Sequence, residues 1–160
     1  MGTLSPGKED IGETVFNTGN ISGSRDMDEA RPGVLLIDDE EDIVRTFTLF
    51  LEKYGYSVDS AGNGGEAEAK LSENIYHVVI FDYRLPDING MDLLRRANEL
   101  QPGAVKVMLT GFPSLENAAE SLSLGADSYL LKPVDMNEVL AVIEEKLRER
   151  AESEETEEKK

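Results

Sequence analysis

The sequence contains no cysteine, which excludes a disulfide framework, a thiolate metal site and a cysteine nucleophile. It has a single histidine, His77, so no multi-histidine metal site can be assembled and little remains for histidine acid–base chemistry. No apolar run approaches the ~20 residues that a membrane span needs. The N-terminus lacks the basic-then-apolar layout of a secretory signal. Positive charge is scarce too: 16 Lys and Arg stand against 33 Asp and Glu in 160 residues, a formal net charge of −17. That excess repels phosphates and anionic lipid, so the expectation is no direct nucleic-acid contact and no membrane association. What these absences leave is an acidic, cytoplasmic, soluble chain of a length that buries one core unaided.

Residues 1–32 are poor in large apolar groups and rich in Gly, Ser, Asn and Asp, a composition that cannot offset its own ordering entropy. They are expected to form a flexible arm, with Thr14-Val15-Phe16 to Ile21 the one stretch that could make a small hairpin. Residues 151–160 carry five Glu and two Lys, and residues 149–160 read as an acidic C-terminal tail or a fraying helix end. Neither flank accounts for most of the acidity, which lies on the segment between them.

From Val34 onward strand and helix patterns alternate. Val34-Leu35-Leu36-Ile37 and Val78-Val79-Ile80-Phe81 are continuous apolar runs, as buried parallel strands require, and Val105 to Leu109 is a third, largely apolar strand. Ser57 to Ser60 alternates like a half-exposed edge strand, and Tyr129-Leu130-Leu131 makes a fifth. Between them, helical stripes recur: Ile43, Phe47, Leu51 and Tyr54; Ala67 and Leu71; Met91, Leu94 and Ala97; Leu115, Ala118/Ala119 and Leu122; Val139, Ile143 and Leu147. Asn63, Ser114 and Asp135 stand where N-caps belong. Five strands alternating with five helices define an α/β, doubly wound parallel sheet of the flavodoxin-like order 2-1-3-4-5.

Chemistry gathers where the strands end. The first ends in Asp38-Asp39, the third in Asp82, the fourth in Thr110 and the fifth in Lys132. Open α/β sheets bind ligands outside the carboxyl ends of their strands, so three carboxylates, a hydroxyl and an ammonium converge on one rim. Carboxylates in one cleft repel and protonate unless cations intervene. Mg²⁺, a hard oxygen-seeking ion, suits them. Lys132 adds a point charge that suits a phosphoryl group, and a carboxylate is left as nucleophile.

These residues carry a resemblance. Asp38-Asp39 after an apolar strand, Asp82 in Phe-Asp-Tyr-Arg-Leu-Pro-Asp-Ile-Asn-Gly-Met-Asp, Thr110-Gly111 and Tyr129-Leu-Leu-Lys132-Pro133 make residues 33–148 similar to a response-regulator receiver domain, here standing alone. The resemblance implies that Asp82 accepts a phosphoryl group from a histidine kinase or phosphotransfer protein. It implies that Asp39 binds Mg²⁺ directly and Asp38 through water, with Asp82 and the Arg84 carbonyl completing the set. Thr110, the Gly111 amide and Lys132 would hold the phosphoryl oxygens, and the Lys132–Pro133 bond would be cis. Thr110 and Tyr129 would form the switch that alters the exposed face of the fourth helix, fifth strand and fifth helix toward a target protein or a second copy of the chain. Arg84 and Phe112, two places beyond Asp82 and Thr110, would border the path of hydrolytic water and slow the reset.

A rival use of the same residues is a Mg²⁺-dependent phosphohydrolase with a strand-end Asp nucleophile, although Arg84 stands where such enzymes keep a second Asp. Gly62-Asn63-Gly64-Gly65 lacks the Lys-Ser/Thr of a phosphate-binding loop and reads as a turn entering a helix. His77 reads as a surface or satisfied histidine. Tyr54, Tyr56 and Tyr76 read as packing at the rim.

Overall fold

Five strands form one parallel sheet in the order β2-β1-β3-β4-β5. The structure, a computed structural model, describes residues 31–111 and 114–158. The hairpin and most of the arm expected in 1–32, and Phe112, fall outside them. Strands β1 (Gly33–Ile37), β3 (Val78–Asp82) and β4 (Val105–Thr110) are buried along their whole length. The edges β2 (Ser57–Ala61) and β5 (Ser128–Leu131) are mostly half-buried. This is the division that continuous versus mixed runs predict.

Because strand side chains alternate, the sheet has two cores. Leu35, Ile37, Val79 and Phe81 pack with Leu71 of α2 (Gly64–Glu73) and Leu94 of α3 (Gly90–Leu100). Val34, Leu36, Ile80 and Val107 pack instead with Phe47 and Leu51 of α1 (Glu41–Lys53) and with Val139 and Ile143 of α5 (Met136–Glu158). The helix starts use the caps read from sequence. Asn63 accepts from the Glu66 amide at 2.8 Å, Ser114 from Asn117 at 3.1 Å and Asp135 from Asn137 at 2.8 Å. Helix α5 continues through residues 149–158, so the acidic end is helical there.

Three local expectations need correction. Tyr56 and Tyr76 are buried rather than at the rim, and the Tyr76 hydroxyl donates to Asp59 at 2.7 Å. Helix α4 (Leu115–Ser123) does not turn its leucines inward: Leu115 is 88% exposed and Leu122 51%. Ser121 is buried in their place, its hydroxyl donating to the Ala118 carbonyl within the helix at 3.0 Å. A small residue that satisfies its own hydroxyl fits a narrow gap that a leucine would overfill.

Lys106 is fully buried in β4. Its ammonium donates to the Gln101 carbonyl at 2.5 Å, and its backbone N–H to Asp127 at 2.8 Å. Arg150 of α5 holds Asp127 at 2.9 and 3.1 Å. Burial, helped by the Arg150 charge and opposed by Asp127, lowers the Lys106 pKa from 10.5 to about 8. Below pH 8 the buried charge costs stability. Between about pH 8 and 10.5 the unfolded chain binds the extra proton, so this group's contribution to stability rises with pH. Lys106→Met should therefore gain stability relative to wild type at neutral pH and lose that advantage as pH rises through this window. Urea unfolding of both proteins at several pH values checks it; a stability difference independent of pH would refute it.

Candidate functional site

Register explains why distant residues meet. Ile37 pairs with Phe81, and Phe81 with Met108, so Asp38 and Asp82 reach the end of the sheet side by side, level with Leu109 of β4. Thr110 pairs with Leu131 one step farther out, and Lys132 follows. The ladder also extends beyond the strands: the Asp38 amide donates to Ala61 at 3.0 Å, Tyr83 to Leu109 at 2.8 Å and Lys132 to Thr110 at 2.7 Å. The candidate site side chains thus project from backbone that neighbouring strands still hold. The following Lys132–Pro133 peptide is cis.

At the centre of the rim the Lys132 ammonium lies 2.8 Å from Asp82 Oδ2 and 3.1 Å from Asp38 Oδ2. Glu40 comes within 3.9 Å of it from the solvent side. Asp38 and Asp82 are buried, which makes the pairing costly to break. Burial pushes the Asp38 carboxyl above its ordinary pKa, outweighing the Glu40 amide that donates to it and the nearby Lys132 charge. Burial alone would depress Lys132, yet the hydrogen bond it donates to Asp82 and the charge of Asp38 hold its pKa above the ordinary value.

Asp39 is exposed and completes the acidic set. One oxygen each from Asp38, Asp39 and Asp82 lies within 4.8 Å of the others. Oxygens around an octahedral Mg²⁺ with bonds of about 2.1 Å stand roughly 3–4 Å apart. An all-carboxylate donor set of this spread therefore fits a hard divalent cation after small side-chain adjustments, and suits a thiophilic or imidazole-seeking metal poorly.

Around this centre, the Arg84 amide donates to Asp82 Oδ1 at 3.2 Å, which places the start of the β3–α3 loop against the acids. Thr110 is buried at the end of β4 and Gly111 is exposed beside it. Tyr129 is half-buried, and its hydroxyl is buried with no hydrogen-bond partner among the described residues. A groove of about 470 Å³ between α1 and the segment after β5, lined by Ile43, Phe47, Val134 and Met136, opens onto Lys132. A second groove, of about 390 Å³, is lined by Ile75, Leu100 and Leu147. It brings no comparable set of titratable groups together, since Arg150 there is already bonded to Asp127 and to the Gly103 carbonyl.

Two contributors escape a reading of the sequence. Glu40 orients Asp38 through its amide, and its place directly after Asp38-Asp39 was the available clue. Asp87 accepts from the amides of Gly64 and Gly65 at 2.7 and 3.0 Å; no local pattern links residues so far apart in the chain. His77 is exposed, and its Nδ1 accepts from the Gly33 amide at 3.0 Å, so it serves the backbone.

The model of the response regulator receiver domain matches residues 34–144. The Bacillus subtilis protein named "Uncharacterized transcriptional regulatory protein YkoG" is 35% identical over 116 residues, which cover 72% of this chain and 51% of that protein. The chain thus spans about half the length of that curated relative. A CheY-like response regulator receiver domain protein from Methanospirillum hungatei superposes with a TM-score of 0.74 at 40% identity, over 77% of this chain and 98% of that one. A Burkholderia pseudomallei response regulator, solved with a phosphorylated aspartic acid, a calcium ion and citrate, gives 0.68 at 32% identity over 79% and 74%. The matched region runs from buried β1 into α5 and takes in every strand end that feeds the acidic rim, and on that ground this chain belongs to the response regulator receiver family of two-component signalling.

Proposed function

We propose that the chain is a Mg²⁺-dependent phosphoacceptor switch in which Asp82 takes a phosphoryl group from a histidine kinase or phosphotransfer protein. The observation that carries this reading is the Lys132 ammonium held between Asp82 and Asp38, with Asp39 completing a cation-ready set. In the transfer, an Asp82 carboxylate oxygen forms a bond to phosphorus as the phosphorus–nitrogen bond of the partner's phosphoimidazole breaks. The imidazole, protonated at its other nitrogen, leaves neutral. A carboxylate is a weak nucleophile, so the site works by positioning and by neutralising charge.

Asp39, Asp38, Asp82 and the Arg84 carbonyl would hold the metal, which when bound neutralises the charge of the phosphoryl oxygens. Lys132 would exchange its carboxylate partners for one of those oxygens, and Thr110 and the Gly111 amide would bind the others. The groove beside Lys132 gives the partner's imidazole an approach past α1. The bulk of Arg84 beside Asp82 favours slow hydrolysis of the acyl phosphate.

Output follows from packing. Moving a two-state equilibrium decisively takes ~3–5 kcal/mol, which a few charge-assisted hydrogen bonds in a sheltered site supply. Thr110 would draw toward the phosphoryl and Tyr129 would rotate behind it. The unpartnered Tyr129 hydroxyl supports this, because a rotamer that returns it to a polar neighbour recovers a lost bond. The face it would alter carries the exposed Leu115, Leu122 and Leu131, suited to a target protein or to a second copy. The relative from Bacillus is named a transcriptional regulator, so the expectation of no direct nucleic-acid contact concerns the acidic residues of this chain and not that protein.

Incubation with acetyl phosphate and Mg²⁺ should add one phosphoryl group by intact mass. The adduct should vanish in Asp82→Ala and on chelation of the metal; catalytic turnover of phosphate esters without a lasting adduct would favour a phosphohydrolase instead. Asp39→Ala should weaken Mg²⁺ binding by at least about 10-fold in a calorimetric titration, and unchanged affinity would overturn the ligand assignment. Tyr129→Phe should raise the stability of the unphosphorylated protein by roughly 1 kcal/mol, since it removes a buried donor that lacks an acceptor. Urea unfolding reads this directly, and a loss of stability would contradict it.

A further inference from the structure

The loop from Tyr83 to Gly90, which follows Asp82, is closed at its base. The Gly90 amide donates to the Tyr83 carbonyl at 2.7 Å, and Arg84 and Asn89 form an isolated antiparallel bridge. A Cβ on Gly90 would stand 2.8 Å from the Tyr83 Cα, so this closure tolerates no side chain there. The base alone leaves the tilt of the loop open. Its tip is fixed by Asp87, whose two carboxylate oxygens each accept one amide of α2, from Gly64 at 2.7 Å and Gly65 at 3.0 Å.

These are the first two donors of the helix. Asn63 already serves the third, Glu66, so Asp87 takes the amides that the local cap leaves. An ionised acceptor at the positive end of a helix is held more firmly than a neutral one, and the two bonds lower the Asp87 pKa below its ordinary value. The approach is close: a Cβ on Gly64 would lie 2.3 Å from Ile88 Cγ2. Glycine at the helix start is therefore what lets the loop tip seat.

We propose that Asp87 is a positioning residue for metal binding: by clamping the loop tip to the start of α2 it sets the orientation of Arg84, whose carbonyl would complete the cation's ligands. The inference rests on the phosphoacceptor reading above. Asp87 makes two hydrogen bonds that join this loop to α2. Without them the α2 amides can turn to water, whereas the loop loses its restraint and Arg84 samples orientations that do not serve the ion. The cost falls on metal affinity more than on the helix.

Calorimetric titration of Mg²⁺ into the full chain tests this with four proteins. Asp87→Asn, which breaks the two-amide clamp, should weaken Mg²⁺ binding by on the order of 10-fold, as loss of outer supports does elsewhere. It also removes a negative charge, so Gly64→Ala is the companion: it changes no charge but drives Ile88 off the helix, and should weaken binding likewise. Asn63→Ala removes the cap of the same helix without touching the loop. It should lower the melting temperature while leaving Mg²⁺ affinity at the wild-type value.

Wild-type affinity in Asp87→Asn would overturn the proposal. So would normal affinity in Gly64→Ala beside a weakened Asp87→Asn, because charge alone would then explain the loss. Equal weakening in Asn63→Ala would overturn it too, by making helix stability the cause. If the wild-type chain binds no Mg²⁺, the phosphoacceptor reading fails and this inference falls with it; binding by wild type with no loss in Asp87→Asn defeats this inference alone.

Discussion

Everything at the rim answers to one electrostatic constraint: two buried carboxylates, Asp38 and Asp82, share a cleft with a third, Asp39, and repel one another unless positive charge lies among them. Lys132 supplies that charge, reaching both buried acids from the end of β5. The same constraint makes the cleft selective. An additional cation relieves the remaining repulsion, and an anion can enter only where a cation accompanies it or where Lys132 releases a carboxylate. A phosphoryl group arriving with a divalent ion meets both conditions. A free anion meets neither, and the −17 charge of the chain repels it further.

The sheet turns that constraint into a fixed site. Strand order places β1 beside β3 and β3 beside β4, and parallel register carries Asp38 and Asp82 to the same level. These features were legible because they follow from patterns that survive without coordinates. Buried parallel strands read as unbroken apolar runs, and a strand's last residue is found by counting. Thus Asp38, Asp82, Thr110 and Lys132 could be placed on one rim from the sequence, and the structure puts Lys132 within hydrogen-bonding distance of two of them.

What stayed hidden shares a physical cause. Asp87 caps a helix that starts 23 residues earlier. Gln101 accepts from the Tyr76 amide and donates to the carbonyls of Leu71 and Asn74. Lys106 sits inside the sheet, satisfied by the Gln101 carbonyl. In each case a polar side chain satisfies a backbone group outside its own helix or strand, for Asp87 and Gln101 more than 20 residues away, and burial makes such a bond worth having. Hydrophobic periodicity carries no trace of it. The α4 stripe misled for the opposite reason. A short helix with few large apolar residues has no strong preference for which face it buries, and the fold buries Ser121 rather than Leu115 and Leu122.

That weak preference bears on signalling. The elements around Asp38 and Asp82 are held by ladders that extend past the strand ends, by Lys132 and by buried side chains on both faces. Helix α4, by contrast, buries only Ser121, and on β5 the Tyr129 hydroxyl is buried without a hydrogen-bond partner among the described residues. Free energy spent on binding at a rigid rim can appear as movement only where the structure is held least. The contrast between a tightly bonded cleft and a loosely seated α4–β5 face therefore gives a direction to any conformational change. Charge introduced at Asp82 should leave the acids' backbone nearly still and be felt where the leucines already stand in water.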